Sequence, residues 1–419
     1  MLIIKKMSYP KYSIIIPVRN GAKYLPTCVK SIICQDFDDY ELIISDNHSS
    51  DGTSDYLNNL KHPKIKILKP DCELSMVEHW EFVLSHARGE WQIILGADDG
   101  LQKYFFELAE KLTRQADLKN IRAIQGCRAY FFWSGCDTIY GNMAVNYNAS
   151  NYIKSRNCKL ETVKALLGLG KSYFDLPQMY STGIFKKSLI DEAKKRQGGK
   201  IFNSITPDAN LAAICCSIEN KYLESGIPLG WVGSSPSSNG FSFSMKGQNN
   251  SNEFANVRVN DFLNLNNKSN LSYNKFAGNI NFGSATLYFW ESLLKTNKLR
   301  KGYLNSLLMS KLFKTLMFST ILLNINKNER LLDLKKIINI NNCNYNLITK
   351  IILILPILYK LHLSMLRVLN KTSRLLNALI CFHYSVGWDS DSDTNMLSAS
   401  MHVNKLLNDN KLIQKIKII

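Results

Sequence analysis

Two hydrophobic patterns alternate along the first hundred residues. Residues 12–17 (YSIIIP) form a short, unbroken apolar and β-branched run, as a strand buried on both faces requires. Residues 21–35 then carry Leu25, Cys28, Val29, Ile32 and Ile33 at helical spacing. A second buried strand reads from residues 41–45 (ELIIS), followed by the turn-rich segment 46–51 (DNHSSD) and a helix from Gly52. Residues 64–68 (KIKIL) alternate like an edge strand. Residues 75–87 return to a helical stripe through Met76, Trp80, Val83, Leu84 and Ala87. The strand at 91–95 (WQIIL) runs into Gly96-Ala97-Asp98-Asp99-Gly100.

Repeated strand–helix–strand units predict a mostly parallel sheet with flanking helices. Ligands of such sheets bind beyond the carboxyl ends of the strands. Three polar clusters fall there: Arg19-Asn20, Asp46 to Asp51, and Asp98-Asp99. Further along, residues 121–126 and 129–133 read as strands, 160–169 as a helix, and 208–217 as a helix preceded by Pro207. Residues 234–243 form a Gly/Ser/Pro loop, and 246–252 a polar one. Helices are expected at 256–266, 284–296, 302–323, 329–338 and 346–380, followed by a weakly ordered end. The domains expected are 1–250, with halves at about 10–125 and 126–250, then a helical basic region at 251–385 and a tail at 386–419.

Composition narrows the class. The 419 residues are 45% hydrophobic and 21% charged, which excludes a disulfide scaffold, a disordered chain and a fibrous repeat. The net charge is +18, and residues 295–419 carry 19 basic against 6 acidic groups. Such an excess suits an anionic membrane surface or leaves a plain solvated face. No aromatic RNA-binding motif or zinc-finger spacing supports nucleic acid. The ten cysteines contain no C-x-x-C and no Cys/His pairs. The start lacks a signal-peptide pattern, so a cytoplasmic protein is expected. The apolar stretch at 351–359 is too short for a span of ~20 residues, and Lys311 and Lys314 interrupt 303–323. Amphipathic helices, packed on the body or lying on the inner face of the membrane, fit better.

Adjacent carboxylates after a buried strand suit Mg²⁺ or Mn²⁺, hard ions whose shells are completed by water and substrate phosphates. Asp98 and Asp99 could equally cap the helix that begins near Lys103. Asp46 could accept from a base N–H or close an Asx turn, and Asp51 could be a plain helix cap.

Three segments, YSIIIPVRNGAKYLPTCVKSIICQ, ELIISDNHSSDGTSDYL and HARGEWQIILGADDG, together resemble the opening of family-two glycosyltransferases of GT-A fold. The likeness is close over about residues 12–105 and loose to about 240. It implies a nucleotide pocket lined by Pro17, Arg19, Asn20, Asp46, Asn47 and Asp98, with Asp46 facing the base. It implies Asp98 and Asp99 as the ligands of Mn²⁺ or Mg²⁺. Asn47 stands where a second Asp is usual, and the common D-A-D-D run reads Gly96-Ala97-Asp98-Asp99. His79, Trp80 and Glu81 lie where a polar pair near the donor sugar is often found, although a core Trp between surface groups reads as well. Similar proteins place a general base ~100 residues past the metal motif, and Asp208 takes that position, with its other reading a first-turn helix residue. The resemblance thus implies an inverting transfer from a nucleotide sugar, UDP- or dTDP-linked, to a glycan or polyprenol-linked acceptor in surface polysaccharide assembly (capsule or O-antigen). A catalytically degenerate nucleotide-binding scaffold is the alternative.

Overall fold

The computed structural model describes residues 9–136, 143–148, 153–169, 171–238, 285–300, 302–323, 335, 337–339, 341–348, 381–386 and 396–409. Its strands are β1 (Tyr12–Val18), β2 (Tyr40–Asp46), β3 (Ile65–Leu68), β4 (Trp91–Ile94), β5 (Gly100–Leu101), β6 (Ala123–Gly126), β7 (Ala129–Phe132), β8 (Met143–Asn148), β9 (Ile153–Asn157), β10 (Gly183–Lys186), β11 (Lys221–Ser225), β12 (Gly230–Ser234) and β13 (Cys381–Val386). Between them run α1 (Leu25–Ile33), α2 (Thr53–Asn59), α3 (Met76–Leu84), α4 (Phe105–Leu118), α5 (Cys158–Leu166), α6 (Lys187–Arg196) and α7 (Pro207–Ile218).

The main sheet has the order β3-β2-β1-β4-β10-β6-β11-β9. β3, β2, β1 and β4 pair in parallel, as do β6 and β11, while β10 and β9 run against their neighbours. Alternate residues of one strand supply both faces. Ile14 and Ile16 of β1 join α1 and α4 in one core, whereas Ile15 joins α3, α5 and α7 in the other. This two-sided burial explains the unbroken apolar run of β1. The helices follow their stripes: Leu25, Cys28, Val29 and Ile32 bury one side of α1. α3 begins at a capping box, in which Ser75 and Glu78 satisfy each other's backbone amides. A second sheet, β13-β8-β7-β12-β5, folds back over the end of β4.

The expected α/β fold with a mostly parallel sheet is observed, but the later chain differs from expectation. Helix Ala285–Lys295 buries Phe289, Trp290 and Leu293 in the same core as Trp80 and Phe202, so the packing is continuous across residue 250. The stretch expected as one helix over 302–323 is two, Tyr303–Met309 and Lys311–Leu323, broken where Ser310 turns extended. Residues 381–386, expected within the helical region, are strand β13 against β8. Residues 396–409, expected as weakly ordered tail, form a helix whose Met396 and Ala399 are buried. The expected segments at 246–252, 256–266 and 351–359 lie outside the described residues. Among the described residues no helix is long and apolar enough to cross a membrane.

Candidate active site

β2 and β4 flank β1 in parallel, so the loops that follow all three strands emerge at one edge of the sheet. Arg19 and Asn20 follow β1, Asp46 ends β2, and Asp98 and Asp99 follow β4. The first two loops are sewn together. The Asn20 amide donates to Ser49 Oγ (2.8 Å), and Asn20 Oδ1 accepts from the Ser50 amide (2.8 Å). The amides of Gly21 and Ala22 donate to Thr53 Oγ1 and Asp51 Oδ2. Asn20 and His48 both adopt left-handed backbone, with φ near 54° and 55°. Pro17 lies opposite Ser45 in the ladder. Arg19 donates to the Asn47 carbonyl (2.9 Å) and pairs with Glu73.

Asp46 is buried, and its carboxylate accepts from the Ser49 amide and the Ser54 hydroxyl. Burial raises its pKa, but these hydrogen bonds and the charge of Lys69 outweigh that and hold it below the usual carboxylate value. Asn47 is turned away from the edge. Its amide group donates to the Leu74 carbonyl (2.8 Å), and its Oδ1 accepts from the Leu74 amide (2.9 Å). Both ends of this side chain are engaged within the protein, so the expected contact to nucleotide is not where its hydrogen bonds go.

The two adjacent aspartates have different surroundings. Asp99 is fully buried. Its Oδ2 accepts from the Gly96 amide (2.6 Å) and Ser181 Oγ (2.5 Å), and its Oδ1 from the Gly233 amide (2.7 Å). Burial, then the neighbouring Asp98 charge, raises its pKa to about 7 against these hydrogen bonds. Asp98 is half-buried at the edge, its Oδ2 accepting from Ser235 Oγ (2.7 Å) and its carbonyl from Trp133 Nε1 (2.8 Å). Helix α4 starts at Phe105 with Tyr104 as its cap position, so neither aspartate caps it.

Asp208 lies in the first turn of α7, after Pro207. The Tyr173 hydroxyl donates to its Oδ2 (3.1 Å). Burial raises its pKa, opposed by the Ala209 amide, the Arg128 charge and Tyr173. Arg128 is held by Phe174 O and Gln178 Oε1, both at 2.8 Å, over the Phe174 ring. Tyr180 joins this region to the aspartate pair, since the charges of Asp99, Asp98 and Asp208 all act on its hydroxyl.

Residues 13–155 match the sequence model of Glycosyl transferase family 2. The matched segment makes up about a third of the chain. It contains Asp46, Asp98 and Asp99, while Asp208 lies beyond it. A PGL/p-HBAD biosynthesis glycosyltransferase of Mycobacterium bovis is 37% identical over 113 residues, covering 26% of this chain and 42% of that relative. A GalNAc(5)-diNAcBac-PP-undecaprenol beta-1,3-glucosyltransferase of Campylobacter jejuni is 36% identical over 95 residues, 22% of this chain and 31% of that protein. The chain spans less than half the length of these curated relatives. Among solved structures, S. aureus TarS 1–349 in complex with UDP-GlcNAc aligns over 80% of this chain and 93% of its own, at 14% identity and a TM-score of 0.41.

The donor chemistry of the family segment fits a divalent cation through Asp98. Its carboxylate is a hard ligand at the open edge, and one carboxylate with substrate phosphates and water completes a Mg²⁺ or Mn²⁺ shell. Asp99, expected to share the ion, instead spends both oxygens on protein donors in a buried position. Among the described residues no three His, Cys, Asp or Glu side chains gather as a metal cluster. Of the expected polar pair, His79 is buried against Ser45 Oγ (2.8 Å), and Glu81 accepts from the amides of Ile201 and Phe202. Trp80 stacks on Tyr180. Trp133, Tyr173, Tyr180, Ser181 and Gly233 were missed in the sequence. They sit in short strands and turns whose period announces no ligand. Ser235 fell within the expected Gly/Ser/Pro loop at 234–243.

A separate cleft of about 640 Å³ opens at the opposite, amino-terminal edge of β1 and β4. Its lysines are paired: Lys11 with Glu110, Lys186 with Asp117, and Lys187 with Asp191.

Proposed function

We propose that this protein is an inverting glycosyltransferase that moves a sugar from a UDP- or dTDP-sugar to a hydroxyl of a glycan or polyprenol-linked glycan, in cell-surface polysaccharide assembly. The observation that carries this reading is the convergence at one sheet edge of the loops after β1, β2 and β4, with Asp98 open to that edge. In the proposal, Arg19, Asn20 and Asp46 form the nucleotide pocket with Pro17 as its floor. Asp98 would hold Mn²⁺ or Mg²⁺, which when bound would supply charge neutralisation for the leaving nucleoside diphosphate. Asp99 keeps the Asp98 loop in place. Asp208 accepts the acceptor hydroxyl's proton as that oxygen attacks the anomeric carbon from the face opposite the nucleotide. Burial raises its pKa and so strengthens it as a proton acceptor, as a general base requires. The name of the relative from Campylobacter jejuni, a GalNAc(5)-diNAcBac-PP-undecaprenol beta-1,3-glucosyltransferase, favours a lipid-linked acceptor. The basic residues of 295–419 would hold the protein at the inner face of the membrane, which liposome binding at rising salt would test.

The absence of a side chain at Gly96 favours a second reading, a nucleotide-binding scaffold without turnover. Thermal unfolding of the protein with UDP, dTDP and their sugars, with and without Mn²⁺, tests the nucleotide binding that both readings require, and turnover separates them. A ligand at ~100 times its dissociation constant adds ~2.7 kcal/mol. Under the enzyme reading, Asp98→Asn and Asp208→Asn each lower turnover by 10²-fold or more, on the order expected for loss of an electrostatic or general-base contribution. Asp208→Asn leaves nucleotide binding intact. Failure to bind any nucleotide would overturn both readings, and binding without hydrolysis or transfer would favour the scaffold.

A further inference from the structure

Position 96 is crowded although glycine stands there. A Cβ at this position would lie 2.8 Å from the Tyr180 hydroxyl and 3.0 Å from both Asp98 Oδ1 and Asp99 Oδ2. The space that a side chain would occupy in the Gly96-Ala97-Asp98-Asp99 run is therefore taken by an oxygen from a segment more than eighty residues away. That hydroxyl, Asp98 Oδ1 and Asp99 Oδ2 thus surround one point, each within 3.0 Å of it.

The Tyr180 ring is fixed independently of its hydroxyl. It stacks on Trp80, with centroids 5.4 Å apart, and Trp80 is held edge-on against Phe202. The backbone is fixed as well. The Ile94 amide donates to Met179 O, and the Ser181 amide donates to Ile94 O, both at 2.9 Å. Met179 and Ser181, on either side of Tyr180, have φ near 50° and 49°, the left-handed region that side chains other than glycine rarely adopt. Strain on both sides of one residue persists only where the surroundings over-determine it, and it collects at functional sites. The neighbouring Ser181 donates to the same Asp99 oxygen. One strained turn thus sets one hydroxyl on Asp99 and places another beside the carboxylates of both aspartates.

We propose that Tyr180 is a positioning residue for the cation-bearing edge: its hydroxyl fills the side-chain space missing at position 96 and, packed beside the Asp98 and Asp99 oxygens, holds the Asp98 carboxylate in the orientation that receives a divalent cation with a nucleoside diphosphate. This rests on the proposed nucleotide-sugar site and names the group that makes up for its departure at Gly96. Tyr180 acts through the aspartate pair and forms no bond to substrate.

The test uses the full chain and the variant Tyr180→Phe, which keeps the ring on Trp80 and removes only the oxygen. UDP and dTDP affinities are measured by calorimetry with and without Mn²⁺. The expected result is unchanged affinity without Mn²⁺ and an about tenfold loss of the gain that Mn²⁺ confers. A role confined to packing would alter both conditions alike. A second measurement reads the contact without any ligand. Gly96→Ala should lower the melting temperature in the wild-type background and lower it less in the Tyr180→Phe background, because the 2.8 Å clash has gone. An equal drop in the two backgrounds, or a full Mn²⁺ gain in Tyr180→Phe, overturns the inference while leaving the site reading intact. A wild-type protein that binds neither nucleotide, with or without Mn²⁺, overturns both.

Discussion

His79 illustrates how a polar residue in a glycosyltransferase-like segment can be structural. It sits 3% exposed beneath the end of β2, bonded to Ser45 one residue before Asp46. Burial lowers its pKa from 6.5 to about 4, with the Arg19 and His48 charges adding to the effect and Asp46 opposing it. A histidine whose folded pKa is depressed stays neutral in the fold while the unfolded chain takes up a proton. Its contribution to stability is therefore complete above about pH 6.5 and is lost as the pH falls toward about 4. Between pH 7 and pH 5 this group alone should cost about 2 kcal/mol of unfolding free energy. Urea unfolding at the two pH values, compared with His79→Gln, checks this: the variant should show a smaller acid loss. Equal losses would mean that His79 takes up its proton over the same pH range in the fold as in the unfolded chain. Asn47 teaches a related lesson. The family's usual Asp there could accept from the Leu74 amide but could not donate to the Leu74 carbonyl, so the departure follows from a two-way backbone pairing rather than from the nucleotide.

β12 is the element that fixes the aspartate loop. Its Gly233 lies so close to Asp98 that a Cβ there would be 1.8 Å from the Asp98 carbonyl oxygen, while its amide donates to Asp99. Gly233→Ala must push β12 and the loop apart. An overpacking cost of about 1–3 kcal/mol is expected, with loss of nucleotide binding beyond that of a distant variant of equal stability. Thermal melts paired with nucleotide titration would measure both, and unimpaired binding would remove β12 from the site. β12 also marks the limit of what could be read in the sequence. Strands β1, β2 and β4 declared themselves by apolar runs because both their faces are buried, and their order placed Asp46 and Asp98 at one edge. β10 and β12 are four- and five-residue strands paired only with distant segments, so no local period announces them. The contacts that tell Asp98 from Asp99 come from those late segments. Two adjacent aspartates could therefore be found in the sequence, but not told apart.

The end of the chain returns to the beginning of the fold. The helix Met396–Asp409 buries Met396 and Ala399 in the core that α1 and α4 share, and Ser400 Oγ accepts from the Lys103 amide (2.7 Å) and donates to Gln102 Oε1 (3.2 Å). Its placement behind Gly100 bears on the site, because Gly100 continues the Asp98-Asp99 turn into β5. A terminus rich in Asn, Lys and Ser reads as solvated when its few apolar residues have no visible partner. Met396 has one, the side of α1 and β5 that the sheet leaves uncovered. Met396→Ala should therefore destabilise the whole protein by about 2–5 kcal/mol, the range for a truncated core side chain. Loss of residues 396–419 should cost at least as much. If this helix is an independent appendage, denaturant midpoints will be unchanged in both variants. If it closes the core behind the Asp98 turn, both variants will unfold earlier in one cooperative step, and the Mn²⁺-dependent gain in nucleotide affinity will weaken before the fold is lost.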